Sequence, residues 1–216
     1  MALFTDNLTG WTALDLVQRF GPIPLDRMRL HPAPGTATEQ DVVGIQDRED
    51  RLYELVDGTL VEKTVGTYEA YLAALVLQVV GAFVREHDLG IVLGADGMLR
   101  IATGMVRIPD MSFIAWSRLP NRQVPRAAIA DLVPDLAVEV LSTSNTPQEM
   151  QRKLVDYFAA GVREVWYVYP TEHAIDQHFG TDKSTRIKPG QSLLAGEVLS
   201  GFALDPAQLF GTEPYA

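Results

Sequence analysis

Residues 132–170 read LVPDLAVEVLSTSNTPQEMQRKLVDYFAAGVREVWYVYP. Leu136, Val138 and Val140 alternate with Asp135, Ala137, Glu139 and Leu141, the two-residue period of a strand with one apolar face and an outer face that carries acid. The polar run Ser142, Thr143, Ser144, Asn145 leads into a capping box, with Thr146 as N-cap, Pro147 at N1 and Glu149 at N3, so a helix begins there. Gly161 ends that helix. Residues 162–169 are rich in β-branched and aromatic side chains and stop at Pro170, which suits a strand buried on both faces. The stretch is a βαβ unit, and it carries two charged residues with no packing role: Glu139 in mid-strand and Lys153 on the helix.

Working outward, 216 residues with 47% hydrophobic and 21% charged side chains fit one domain with a full-sized core. The expected organisation is an N-terminal extension over residues 1–35 and a single domain over 36–216. The apolar run 70–84 is broken by Gln78 and Gly81 and reads as too short for a bilayer, and no basic leader opens the chain, so a cytoplasmic protein without a membrane partner is expected. Without cysteine there is no disulfide or thiolate zinc site, and the four histidines show no metal spacing, so any metal site is oxygen-rich. A net charge of −10 argues against a broad nucleic-acid-binding surface. Between 98 and 130, however, Arg100, Arg107, Arg118, Arg122 and Arg126 stand against a single acid, Asp110, which fits either a face that attracts phosphate or an ordinary solvated surface.

Residues 12–20 form a short amphipathic helix, followed by a run of proline and glycine breakers. Thr36 and Glu39 form a capping box that starts a helix reaching about Gln46. Residues 52–63 are a hairpin about Asp57-Gly58, with Glu54 and Glu62 on its arms. Residues 68–87 are the longest helical pattern, with Tyr71, Leu72, Leu75, Val79, Ala82 and Phe83 on one stripe and Glu69 in the first turn, where it complements the helix dipole. Strands follow at 90–93, 97–102 and 106–115, the last interrupted by Pro109-Asp110, the mark of an edge or a bulge. Short strands and turns close the chain beyond Pro170.

An acid at a strand bend, Asp110, an acid in mid-strand, Glu139, and a lysine on the next helix, Lys153, make up a hard-cation site. Magnesium takes one or two carboxylates and fills its shell with water and phosphate oxygen. Asp110, Glu139 and the carbonyl of Val140 are the ligands this pattern supplies, with Lys153 to polarise a water and offset charge on a phosphate. An exposed pair between Lys153 and Glu149 explains the lysine equally well, although the stripe of Met150, Leu154, Tyr157 and Phe158 beside it holds it near the sheet. Asp135 reads as a turn-forming residue at a strand start. An acyl hydrolase using Ser142 lacks a suitably placed histidine.

Tyr53-Glu54-Leu55-Val56-Asp57-Gly58, Leu60-Val61-Glu62, Arg107-Ile108-Pro109-Asp110, the run from Pro134 to Ser142, then Lys153, Tyr157, Gly161-Val162 and Trp166 resemble the Uma-two-type restriction endonuclease family of the PD-(D/E)XK nuclease superfamily. The resemblance spans about residues 36–210. It implies a restriction-endonuclease-like α/β fold, a mixed β-sheet flanked by α-helices, and a DNA endonuclease dependent on magnesium or manganese. It puts Asp110 in the place of the PD aspartate and Glu139 in that of the second acid. Leu141 stands where the usual lysine would be, which moves to the following helix as Lys153. Where members carry a histidine at the start of the long helix, this chain has Thr67-Tyr68-Glu69, leaving the early site acid open among Glu54, Glu62 and Glu69. DNA is the expected partner and a homodimer the expected assembly. The rival is a catalytically idle nuclease-fold module that binds nucleic acid or a protein partner.

Overall fold

The computed structural model describes residues 11–64 and 66–211. In chain order it has α1 (Ala13–Phe20), β1 (Met28–Arg29), α2 (Glu39–Glu49), β2 (Tyr53–Val56), β3 (Thr59–Glu62), α3 (Thr67–Glu86) and β4 (Gly90–Leu93). There follow β5 (Leu99–Ala102), β6 (Met105–Arg107), β7 (Met111–Ala115), β8 (Leu136–Val140), α4 (Pro147–Ala160) and β9 (Glu164–Tyr169). The chain closes with β10 (Ala174–Gly180), β11 (Lys183–Ile187), β12 (Leu193–Leu194), β13 (Ala203–Leu204) and α5 (Ala207–Phe210).

The βαβ unit forms as its residues dictate. Thr146 accepts the Glu149 N–H at 3.1 Å, Pro147 opens α4, and Gly161 ends it in the left-handed conformation (φ 95°). β8 and β9 run parallel, Glu139 opposite Tyr167, inside a six-stranded sheet of order β11-β10-β9-β8-β7-β4. The other pairs in that sheet are antiparallel, so the mixed sheet with flanking helices expected from the sequence is present. Alternation sends Leu136, Val138 and Val140 toward α3, and Ala137 and Glu139 toward α4. The face expected to look outward is thus covered by α4, and Glu139 is only 5% exposed.

A second sheet of order β1-β3-β2-β6-β5 packs beside the first. Its hairpin turns at Asp57 (φ 48°) and Gly58 (φ 65°), two successive positive angles that match the right-handed twist of the arms. Gly58 is also required sterically, since a Cβ there would fall 2.6 Å from the Gly35 carbonyl group. The single strand expected over 106–115 is instead two strands in two sheets: β6 pairs with β2 and β5, β7 with β8 and β4. Pro109, which has no N–H to give a ladder, marks the change. Immediately after it the Asp110 N–H bonds the Val138 carbonyl at 2.9 Å while Met111 is the ladder partner of Val138. Two residues facing one is a β-bulge, and it turns Asp110 out of regular pairing.

Two expectations about helices need correction. α2 starts two residues late, with Thr38 and Asp41 as the capping pair, and runs on to Glu49. In α3 the buried stripe is Leu72, Val76, Val80 and Val84, whereas Tyr71 is 47% exposed. The helix is apolar nearly all round, so its sequence does not single out one face. By length and composition alone α3 is long and apolar enough to cross a membrane, contrary to the shorter span read from the sequence, but its buried stripe packs on the sheet.

The stretch expected as an N-terminal extension is tied to the body from residue 11 onward; residues 1–10 and 212–216 lie outside the described residues. β1 adds an edge strand to β3. Arg27, 7% exposed, holds Glu149 with two parallel bonds of 3.1 and 2.9 Å and also reaches the carbonyls of Glu62 and Ser144. Removing one partner of such a buried pair strands the other. Arg27→Ala is therefore expected to cost about 3–5 kcal/mol in chemical denaturation, while Arg51→Ala, which breaks a pair at the surface, leaves the midpoint nearly unchanged.

Candidate active site

Three elements bring carboxylates and cations together beside the bulge. Asp110 accepts the Val140 N–H on Oδ2 at 2.7 Å, and its Oδ1 lies 2.9 Å from Lys63 Nζ, which also donates to the Ile108 carbonyl at 2.6 Å. The Leu141 N–H bonds Val168 on the β9 side. Alternation along β8 therefore sends both the N–H and the carbonyl of Val140 to the opposite side, toward Asp110. Glu139 accepts on Oε1 from Lys153 Nζ (3.0 Å) and from the Tyr157 hydroxyl (2.6 Å). Lys153 and Tyr157 are four residues apart on α4 and so share the face turned to the sheet.

Lys153 Nζ lies 3.3 Å from Glu54 Oε1, and Glu54 in turn accepts from Arg107 (2.7 Å) and from the Ile108 N–H (3.1 Å). The other arm of Arg107 pairs with Asp156 on α4. Glu54, Arg107, Glu139, Lys153 and Asp156 form one ion-pair cluster and Lys63 with Asp110 a second, joined through the backbone of Ile108, whose carbonyl accepts from Lys63 and whose N–H donates to Glu54; none of these side chains is more than 12% exposed.

The network sets protonation states. Burial pushes the Glu54 carboxyl upward, but Lys153, Arg107 and the Ile108 N–H outweigh it and hold the group at about 2. At Glu139 burial dominates and raises the carboxyl above the usual range; Lys153 opposes this, while Asp110 and Glu54 add to it. Burial disfavours the Lys153 ammonium, but Glu139 and Glu54 more than compensate, so its affinity for the proton rises and it stays charged. Burial, with Glu139 and Glu54 nearby, drives the Tyr157 hydroxyl well above its usual value, so it donates to Glu139 as a neutral phenol.

Among the described residues no group of three or more His, Cys, Asp or Glu side chains is close enough to hold a metal. Asp110, Glu139 and the Val140 carbonyl would offer a cation two carboxylates and a peptide oxygen, a set too sparse for zinc or a calcium cage and one that magnesium or manganese would complete with water and phosphate oxygen. Both protein bonds to Glu139 fall on Oε1. Beside Asp110, on the α3 side of the sheet, a cavity of about 150 Å³ is lined by Ala70, Ala73, Ala74 and Leu77 of α3 and by Gly94 and Ala95. A larger cavity of about 400 Å³ lies between the start of α4 and the end of β9 and holds none of Asp110, Glu139 and Lys153. Converging charge marks the candidate site better than volume does.

Of the early acids, Glu54 lies in the network. Glu62 pairs with Arg51, and Glu69 folds back over the start of α3, where a Cβ at Gly66 would fall 2.0 Å from its Oε2. Lys153 does not pair with Glu149, which Arg27 occupies. The arginines expected to face phosphate are mostly spent elsewhere: Arg100 on Glu39, Arg107 within the network, Arg118 on Asp135 (2.9 Å) and Arg122 on Asp88. Arg118 and Arg122 follow the far end of β7, away from Asp110, because the chain crosses the sheet between them. Asp135 clamps that end, accepting also from the Ala115 N–H. The Ser142 hydroxyl is bonded to Ser144 and Asn145 in the turn before α4. Sequence reading missed Lys63 and Arg107 as members of the network; a lysine after a strand and an arginine in a basic run carry no signal of burial.

No curated protein sequence matches the chain. Among solved structures, a crystal structure described as a putative nuclease belonging to DUF820 from Anabaena variabilis is similar in fold, with a TM-score of 0.66 at 17% identity over 74% of this chain and 90% of that one. The profile of the Uma2 family, described as "Putative restriction endonuclease", matches residues 40–207, a span that includes Glu54, Lys63, Asp110, Glu139 and Lys153. With the sheet, the bulge and the ordered motifs on one continuous match across most of its length, the chain belongs to the Uma2 family of restriction-endonuclease-like proteins.

Proposed function

We propose that this protein is a metal-dependent endodeoxyribonuclease that hydrolyses phosphodiester bonds with Asp110, Glu139 and Lys153. The observation that carries the reading is a bulge aspartate that accepts the N–H of Val140, the residue next to a mid-strand glutamate whose oxygen is bonded by a buried lysine and a tyrosine. Asp110, Glu139 and the Val140 carbonyl would hold magnesium or manganese, which when bound supplies a Lewis acid for the phosphate and lowers the pKa of a water. Tyr157 and Lys153 fix the Glu139 carboxylate in one orientation. The Lys153 ammonium sets a positive charge beside the place where negative charge develops. Glu54 acts behind them: it holds Lys153 and, through the Ile108 N–H, the chain just ahead of the bulge. Homodimeric assembly and a cytoplasmic location belong to the same proposal.

A second reading, an idle nuclease-fold module that binds nucleic acid or a protein, is favoured by the net charge of −10 and by arginines already paired to the protein's own acids. Cleavage of plasmid and single-stranded DNA with magnesium or manganese separates the two. Wild type is expected to cut, and Asp110→Asn and Glu139→Gln to lose at least about 10²-fold in rate with folding intact. Equal residual cutting in all three supports the idle module. Lys153→Met is expected to lose activity and also to be destabilised by about 3–5 kcal/mol, because it leaves Glu139 and Glu54 buried without their shared cation.

The two glutamates give opposite pH signatures. The Glu54 carboxyl, depressed to about 2 from an ordinary 4.5, contributes stability that is present above about 4.5 and lost as the pH falls toward 2. Glu139, raised, contributes stability that is present below its unfolded value and lost as the pH rises through its folded one. In denaturation at neutral pH, Glu54→Gln should therefore be less stable than wild type, the gap closing toward pH 2. Glu139→Gln should equal or exceed wild type at neutral pH in the absence of metal. The reverse order would refute the assigned charge states.

A further inference from the structure

Lys63 has no part in the reading above, yet it holds a place a metal ligand set would need. It follows β3 directly, and its side chain is 6% exposed. Its Nζ is 2.6 Å from the Ile108 carbonyl and 2.9 Å from Asp110 Oδ1. The two oxygens of Asp110 are thereby divided. Oδ2 is fixed by the Val140 N–H, and Oδ1, the oxygen left for a cation, is already matched by an ammonium. A buried ammonium persists only where such partners offset its lost hydration.

Charge balance gives the consequence. The network holds four acids (Glu54, Asp110, Glu139, Asp156) and three bases (Lys63, Arg107, Lys153), a sum of −1 with all ionised. A divalent cation alone would leave +1 in a poorly hydrated site, whereas a divalent cation with one phosphodiester charge leaves zero. Without Lys63 the protein groups sum to −2, and the cation alone would neutralise them.

We infer that Lys63 is a built-in competitor of the divalent cation at Asp110, so that metal enters the site together with the DNA phosphate and only weakly ahead of it. The inference rests on the metal-nuclease reading and adds an order of binding to it. In this scheme Lys63 keeps the two-carboxylate site within one charge of neutral when neither DNA nor metal is present. By reciprocity, the factor by which DNA tightens metal binding is the factor by which metal tightens DNA binding.

The test is calorimetric titration of manganese into wild type, Lys63→Met and Lys63→Arg, each alone and with a phosphorothioate duplex that resists hydrolysis. Folding is checked by circular dichroism, and Lys63→Gln takes the place of the methionine variant if that one does not fold. Without DNA, Lys63→Met is expected to bind manganese about tenfold or more tightly than wild type, since a like charge at contact distance is removed. Lys63→Arg should stay close to wild type, and the gain that DNA brings to wild type should shrink in Lys63→Met. Equal or weaker manganese binding by Lys63→Met than by a wild type that does bind it overturns the role of Lys63 and leaves the nuclease reading standing. No manganese binding by any of the proteins, with or without DNA, overturns the nuclease reading and this inference with it.

Discussion

A carboxylate in the middle of a parallel strand is stable only if a cation comes to it, and Glu139 is the point at which that requirement shapes this protein. β8 is buried on both faces, so the cation cannot be a solvated surface lysine; it has to arrive on the helix that covers the strand. α4 supplies it. Lys153 and Tyr157, one turn apart, meet the same oxygen of Glu139. The apolar neighbours Met150 and Leu154 pack in the same cluster as Ala137, Val165 and Tyr167 of the sheet. The position of α4 is then fixed from outside by the pair of Arg27 with Glu149, which also ties down the chain leading into β1.

The same requirement joins the two sheets. Glu54 on β2 shares Lys153 with Glu139 on β8, and Arg107 on β6 bridges Glu54 to Asp156 on α4. Replacing such buried charges by apolar side chains is often neutral for stability, and the nuclease chemistry proposed above accounts for their gathering next to a proline-marked bulge. The Arg107 Nε is buried without a hydrogen-bond partner, a cost that its two carboxylate contacts offset. The bulge matters as much as the charges. Because the chain leaves one sheet at Arg107 and enters the other at Met111, Asp110 is the residue at the step, free of the ladder on its side-chain side and anchored by its N–H on Val138.

The overall charge is handled locally. Asp135 and Asp88 absorb Arg118 and Arg122 beyond the end of β7 away from Asp110, and Glu39 absorbs Arg100 on the second sheet. What remains around the site is a nearly balanced set of buried charges with a slight excess of acid.

The sequence by itself determined the elements that local rules govern. The capping box at Thr146, the stop at Gly161, the positive-angle turn at Asp57-Gly58 and the β-branched run of β9 depend on neighbours a few residues away, so they were legible, as were the fold class and the identities of Asp110, Glu139 and Lys153 as outliers in otherwise apolar or regular surroundings. Tertiary structure alone decided the rest. It chose which stripe of α3 is buried, because that helix is apolar on nearly every side. It split 106–115 between two sheets, because a proline signals a break but not its destination. It brought Lys63 and Arg107 inside and left Glu62 and Glu69 outside, because a charged residue's partner lies tens of residues away in the chain and its burial depends on that partner being there.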